Sequence, residues 1–322
     1  MFKPTTPGGT HYQIGAYQFQ QDLGLKDALG NPLLTTVWGY GNAAQPPTYP
    51  GRTIIAQKDS PITVQWTNNL VDNSGNALPH LLPVDSTLHW ADPLASGHMH
   101  GPYTGPVPIV THLHGGHTDS SSDGLPDAWF TPDTNADLDT LPDHTGHLYN
   151  PVYSYDNSQE AATLWYHDHA LGITRLNVYA GLAGFYILRD PQEASLNLPS
   201  GPYEIPMVIQ DRMFSADGQL YFPNNLDEFY APAEIAAMSP DVPQTSTVLP
   251  EFMGDTILVN GKAWPFLDVE PRKYRLRLLN GSDSRVYNLF FSSGQTFQQI
   301  GTDSGLLPAP VTLNKLVLAP GE

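Results

Sequence analysis

Proline and glycine interrupt the apolar runs of this sequence at short intervals, and this constrains the fold more than any other feature. The 322 residues include 31 Pro and 28 Gly, and the runs between them are as long as single strands. We predict strands over residues 53–56, 62–67, 107–114, 162–167, 184–188, 203–210, 256–259, 274–279, 287–291 and 311–318. The one helix-like stretch is 171–181. This pattern favours an all-β protein made of β-sandwiches with Greek-key connections.

Two His-x-His pairs stand at the ends of strand-like runs. His112 and His114 end one run, and His167 and His169 follow another. In an extended strand, residues i and i+2 point to the same face and lie roughly 6.6 Å apart, so each pair presents two imidazoles side by side. That separation is wide for one ion but suits two neighbouring ions completed by a facing strand. Imidazole nitrogen favours copper, zinc, iron or nickel over magnesium or calcium, with copper or zinc the leading expectation.

The metal interpretation depends on the two pairs occurring together. One isolated pair is also typical of histidines that only hydrogen-bond their neighbours inside a protein. A third pair, His98 and His100, lies among Gly and Pro residues that predict a loop, with no strand to orient the rings. We therefore predict that this third pair is exposed and binds no metal, and that residues 97–106 and 133–151 form surface loops.

Four stretches of the chain resemble the multicopper oxidase family. Residues 111–130 and 164–186 resemble its first two copper motifs, in the form found in bacterial spore-coat laccases and bilirubin oxidases, and the similarity continues through 256–280 and 318–320. The resemblance implies tandem cupredoxin-like Greek-key β-sandwiches: a first domain over 1–190 that carries both copper motifs, and a second over 191–322 that is incomplete at its C-terminus. A shift to Pro, Ser, Asn and Gly after residue 190 is consistent with this boundary.

The same resemblance implies a role for each motif residue. His112 would ligate a type 2 copper, and His114, His167 and His169 would ligate a type 3 pair, together forming part of a trinuclear copper cluster. Asp123 matches an acid that such laccases place near the cluster, where a carboxylate can relay protons or orient a water. Because Asp-Gly is also a common turn pair, the alternative for Asp123 is an ordinary turn residue.

The sequence departs from the family in lacking its two later copper motifs. The chain contains no cysteine, and a blue, type 1 copper needs a thiolate ligand. Only half of the histidines that the family's cluster uses are present. We therefore expect that the chain is not a competent oxidase alone. A complementary C-terminal chain or continuation would supply the type 1 copper and the remaining His, Cys and Met ligands, and would cover the β edge that ends at residue 318.

The implied function is a laccase-like oxidoreductase that couples one-electron oxidation of a phenol, aromatic amine, pigment or metal ion to reduction of O2 to water. Two alternatives stay open. A dinuclear zinc hydrolase could use His112, His114 and His117, but Gly116 replaces the Asp of that motif and the second His-x-His pair is left unexplained. A non-catalytic copper-binding or structural cupredoxin module would account for the missing site of electron entry.

Charge and hydropathy limit the remaining possibilities. The chain has 14 basic and 32 acidic residues, a formal net charge of -18, which argues against nucleic acid as a partner. We interpret the basic run 272–277 as one solvated strand face. No apolar stretch is long enough for a transmembrane helix, and residues 1–5 lack the apolar core of a secretory signal. Localisation is left open, although the resemblance is compatible with an extracytoplasmic or spore-coat position.

Overall fold

The described part of the chain is built mainly of strands, which confirms the predicted all-β class. A computed structural model describes residues 1–85, 88, 106–132, 145–146, 149–223, 231–237, 251–303 and 305–322. Its strands are β1 His11–Lys26, β2 Pro32–Gly41, β3 Gly51–Gln57, β4 Ile62–Asn69, β5 Thr111–His114, β6 Val152–Tyr155, β7 Ala162–Asp168, β8 Ala183–Arg189, β9 Glu204–Phe214, β10 Leu220–Tyr221, β11 Thr256–Val259, β12 Lys262–Ala263, β13 Arg275–Asn280, β14 Tyr287–Leu289, β15 Phe297–Thr302, β16 Gly305–Leu313 and β17 Leu316–Leu318.

Helical structure in these ranges is short. The α-helices are α1 Thr174–Ala180, α2 Pro191–Ser195 and α3 Pro232–Ala237, and single 3-10 turns occur at Ser120–Ser122 and Gly201–Tyr203. None of the helices in the described part of the chain has the length and apolarity needed to cross a bilayer.

Two four-stranded sheets form a β-sandwich around the largest hydrophobic core. The first has the order β2-β1-β4-β6 and the second, called sheet B below, has the order β3-β8-β7-β5. Strands β1/β4 and β3/β8 pair in parallel, whereas the other neighbours are antiparallel. The rings of Tyr40, Trp66 and Tyr166 meet between the sheets with centroids 5.2–5.6 Å apart. This contact joins residues of β2, β4 and β7 in one core.

Sheet B is also covered on its outer face. There Trp165, Phe185 and Ile187 pack against Val208 of β9 and Leu279 of β13. Strand β9 pairs with β10, β11 and β13, and β11 continues to β12. Burial from both sides explains why β8 is an almost uninterrupted apolar run, since neither of its faces is left to solvent.

The predicted strands are largely present, with differences at their ends. The run 107–114 forms regular strand only over Thr111–His114, and the run 311–318 is divided between β16 and β17. The helix-like stretch contains α1. Strands β1 and β2 were not predicted because polar residues interrupt their alternation, yet Leu23 and Val37 on them are fully buried. Most of the predicted loops 97–106 and 133–151 lies outside the described residues, and the domain boundary at residue 190 stays a prediction.

The predicted solvated face of residues 272–277 is wrong. Arg275 and Arg277 are buried on β13 and pair with two buried carboxylates, Glu193 and Glu204. Arg277 donates to Glu204 at 2.7 Å, to Glu193 at 2.7 Å and to Thr163 of β7 at 2.6 Å. The alternation itself was correct, but the arginine side faces sheet B because acidic partners there satisfy the guanidinium groups.

We predict that Arg277→Ala destabilises the chain by about 2–3 kcal/mol, because it removes buried charge-assisted hydrogen bonds to Glu193, Glu204 and Thr163, while Arg275 and Arg189 still pair with the two carboxylates. The matched control is Lys262→Ala, which removes an exposed ion pair with Asp22 and should cost under about 1 kcal/mol. Urea unfolding of both variants measures the difference. Equal losses would contradict a stabilising role for the buried pairing.

Candidate metal centre

Strands β5 and β7 present both His-x-His pairs on one face of sheet B. The two strands are antiparallel neighbours, with His112 opposite His167 and His114 opposite Trp165. Leu113, the residue between the first two histidines, points into the core of the sandwich. Because strand side chains alternate, the histidines project from the outer face.

The four imidazoles lie close together. The ring of His112 is 5.8 Å from that of His114, 5.6 Å from that of His167 and 5.1 Å from that of His169, measured between centroids. His114 Nδ1 is 3.3 Å from His167 Nε2. One ring nitrogen each of His112, His114 and His167 falls within 4.8 Å of the others. The arrangement provides several nitrogen ligands in a space suitable for metal ions.

Main-chain carbonyls fix the orientation of two of the rings. His112 Nδ1 donates to the Asp123 carbonyl at 2.5 Å, and His167 Nδ1 donates to the Asp168 carbonyl at 2.6 Å. A carbonyl accepts only, so Nδ1 carries the proton in both rings and a neutral ring keeps its lone pair on Nε2. The buried Nδ1 of His169 has no hydrogen-bond partner among the described residues. These nitrogens fit a metal of the imidazole-binding class.

Desolvation favours the neutral form of three of the imidazoles, those of His114, His167 and His169. Desolvation holds the pKa of His167 well below its usual value, and desolvation followed by the neighbouring ring of His112 lowers the pKa of both His114 and His169. A neutral imidazole is the form that ligates a metal. The surroundings therefore favour the ligating form of these side chains at neutral pH.

Trp165 stacks against two of the four histidines. Its indole lies nearly parallel to the ring of His167 at 4.1 Å and to that of His114 at 5.1 Å. Trp165 was not predicted as a part of the metal centre. Its position i−2 from His167 was the available signal, since it places the two side chains on the same face of β7.

Asp123 lies beside His112, after the 3-10 turn Ser120–Ser122. Its carboxylate oxygen Oδ1 is 3.5 Å from His112 Nδ1 and accepts a hydrogen bond from Thr118 Oγ1 at 2.5 Å. Gly124 allows the close approach: it has φ +72, and a Cβ there would come within 2.1 Å of the Thr111 carbonyl oxygen. Asp123 is thus part of a turn and also a neighbour of the cluster.

The structure brings His112, His114, His167, His169 and Asp123 together, as the sequence predicts. The third pair, His98 and His100, lies outside the described residues. His117, which a zinc hydrolase would require, is exposed, and its main-chain N–H bonds Gln159.

Comparison with known proteins identifies the class. A family profile described as multicopper oxidase matches residues 144–193. The laccase of Bacillus subtilis strain 168 is 45% identical over 289 residues, which are 89% of this chain and 49% of that protein. The laccase of Bacillus stratosphericus is 46% identical over 320 residues, covering 98% of this chain and 54% of the relative. The chain spans about half the length of these curated relatives.

The fold gives the same result. A multi-copper oxidase from Pediococcus acidilactici superimposes with a TM-score of 0.67 at 25% identity, covering 99% of this chain and 51% of that one. The chain has the cupredoxin-type β-sandwich fold of such proteins. In sequence and fold the chain matches multicopper oxidases over about half of their length, and the name of that family implies copper. Neither the zinc hydrolase nor the structural module is favoured by these similarities.

We predict that Gly124→Ala destabilises the chain by about 3 kcal/mol or more, because strain at positive φ adds to the overlap with Thr111. Gly75→Ala is the control: Gly75 has φ +84 but nothing lies within 4 Å of its Cβ position, so only the strain of about 1–2 kcal/mol remains. Chemical denaturation compares the two. A Gly124 variant no less stable than the Gly75 variant would contradict the close approach.

Proposed function

We propose that this chain supplies half of the ligands of a trinuclear copper cluster in a laccase-like multicopper oxidase. The observation that carries the proposal is the convergence of four imidazoles, with ring nitrogens of His112, His114 and His167 within 4.8 Å of one another. Following the resemblance, His112 would hold the type 2 copper, and His114, His167 and His169 would hold the type 3 pair. Copper would supply the one-electron redox chemistry.

The overall reaction would take four single electrons from a phenol, aromatic amine, pigment or metal ion and use them to reduce one O2 to two waters. This consumes four protons. Asp123 is suited to deliver them, because its carboxylate lies 3.5 Å from His112 and its side chain is still 27% exposed to solvent. Its hydrogen bond from Thr118 holds the carboxylate in that position.

Electron entry would require a further polypeptide segment. A type 1 copper needs a thiolate, and this chain has no cysteine. We infer a complementary chain or a continuation that brings the type 1 copper and the remaining cluster ligands. The share of the relatives' length that the chain spans, about half, supports this inference.

Exposed apolar side chains in the second half of the chain are consistent with such a segment. Large apolar side chains are solvent-exposed at Trp264 (67%), Phe266 (88%) and Phe290 (66%), and Val311 and Val317 are exposed as well. Exposed apolar groups that lie together mark a surface that another part of a protein covers. We propose that the complementary segment packs there.

We predict that His114→Ala and His167→Ala each weaken Cu²⁺ binding by more than the roughly 10- to 100-fold that loss of a supporting contact costs. In an oxidase completed by the other half, each should abolish O2 reduction while the blue colour of the type 1 copper persists. His117→Ala is the control, since His117 lies outside the cluster, and it should bind copper as the original chain does. Undiminished turnover in either cluster variant would refute the assignment, and loss of metal binding in His117→Ala would favour the zinc hydrolase.

We predict that Asp123→Asn slows O2 reduction by the completed oxidase about 100-fold or more while copper content is unchanged. Asn accommodates the turn as well as Asp does, so the substitution removes the acid but keeps the fold. The control is the exposed Asp119→Asn. Steady-state O2 consumption and metal analysis test this prediction. If the Asp123→Asn oxidase is fully active, Asp123 is a turn residue only.

A further inference from the structure

A fully buried amide, Asn177 on α1, connects three separate parts of the chain. Its Nδ2 donates to Asp168 Oδ1 at 2.8 Å and to the Pro108 carbonyl at 3.1 Å. Its Oδ1 lies 2.8 Å from His80 Nε2, which must therefore be the donor. Asn177 has no exposed surface, so each of these contacts is made away from water.

Asp168 forms the other half of the connection. It stands between two cluster histidines in sequence, but alternation along β7 turns its side chain to the opposite, buried face. Its Oδ2 accepts the Val110 N–H at 2.9 Å, and its Oδ1 accepts the Ala170 N–H at 3.1 Å. The carboxylate therefore holds the residue before β5 and a residue just after β7 at the same time.

These contacts act where the strand pairing ends. The ladder between β5 and β7 stops at Thr111 opposite Asp168, and His169 lies beyond it, held by a single main-chain hydrogen bond from its N–H to Val110 at 2.8 Å. His112 and His169 are nonetheless 5.1 Å apart between ring centroids. Something other than the ladder must keep that separation fixed.

We propose that Asn177 and Asp168 form a positioning pair that sets the distance between His112 and His169 from behind the sheet. Asn177 anchors residue 108 and Asp168 anchors residue 110, so the start of β5 cannot move relative to the end of β7 without breaking buried hydrogen bonds. Such supporting contacts behind ligands affect metal affinity although they do not touch the metal. The inference rests on the proposed copper centre and adds to it the residues that hold its geometry.

A matched control separates positioning from general stability. Asn68 is also fully buried, and its Nδ2 donates to the Val107 carbonyl at 2.8 Å and the Phe130 carbonyl at 3.2 Å. It therefore contacts the same segment before β5, but the two acceptors lie away from the end of β7. Asn68→Ala and Asn177→Ala each remove a buried amide, whereas only the second releases Asp168.

The experiment measures Cu²⁺ binding to the full 322-residue chain by competition with a chelator, together with electron paramagnetic resonance of the bound ion and thermal unfolding of the metal-free chain. We expect both alanine variants to unfold at lower temperature. Only Asn177→Ala should lose affinity, by 10-fold or more, and change the copper hyperfine splitting. Asn177→Leu serves as a second variant of similar size, which can neither donate to Asp168 and Pro108 nor accept from His80, and it should show the same loss.

The outcomes distinguish the inference from the proposed function. If the original chain binds no Cu²⁺, the copper centre itself is refuted and the inference fails with it. If the original chain binds and both Asn177 variants keep its affinity and spectrum, the centre stands and the positioning role is overturned. Equal loss of affinity in Asn68→Ala would also overturn it, because the effect would then follow stability alone. Should Asn177→Ala fail to fold, Asn177→Leu decides by the same criteria.

Discussion

The antiparallel pairing of β5 with β7 places the histidines on one face of sheet B, and the metal centre depends on it. In this register His112 faces His167 across the strands, and Leu113 and Tyr166 point together into the core of the sandwich. A shift of one residue would send histidines inward and leucine and tyrosine outward, because side chains alternate with a period of two. The apolar side chains of Leu113 and Tyr166 therefore keep the imidazoles together, because a one-residue shift would expose both of them.

Sheet B keeps this strand register in place because other parts of the protein pack against both of its faces. The aromatic contacts of Tyr40, Trp66 and Tyr166 lie on one side, and the packing of Phe185 and Ile187 against β9 and β13 lies on the other. The buried arginine and glutamate side chains add polar contacts along the same outer face, from Arg277 to Thr163 on β7. The imidazoles thus lie on or directly after two strands, β5 and β7, that have little freedom to move. A site of several ligands requires such rigid support.

The sequence revealed the histidines and most strands because both follow from alternation within a short segment. It could not reveal Arg275 and Arg277 as buried, since their acceptors Glu193 and Glu204 are distant in the chain and only the fold brings them near. The role of Asn177 was not predicted for the same reason. A polar residue in an apolar helix is a weak signal until Asp168 and Pro108 are found beside it. Strands β1 and β2 were missed because their polar positions face solvent irregularly. The type of copper at each histidine rests on family likeness alone.

The hydrogen bonds from His112 and His167 to main-chain carbonyls have a consequence for how such a centre can diverge. The partners are the carbonyl groups of Asp123 and Asp168, and every amino acid supplies a carbonyl at its position. Mutation at residue 123 can therefore change the acidity beside His112 while the tautomer of that ring is preserved. The proposed proton delivery depends on the side chain of Asp123 and the orientation of His112 on its main chain, so selection can alter the first over evolutionary time without disturbing the second.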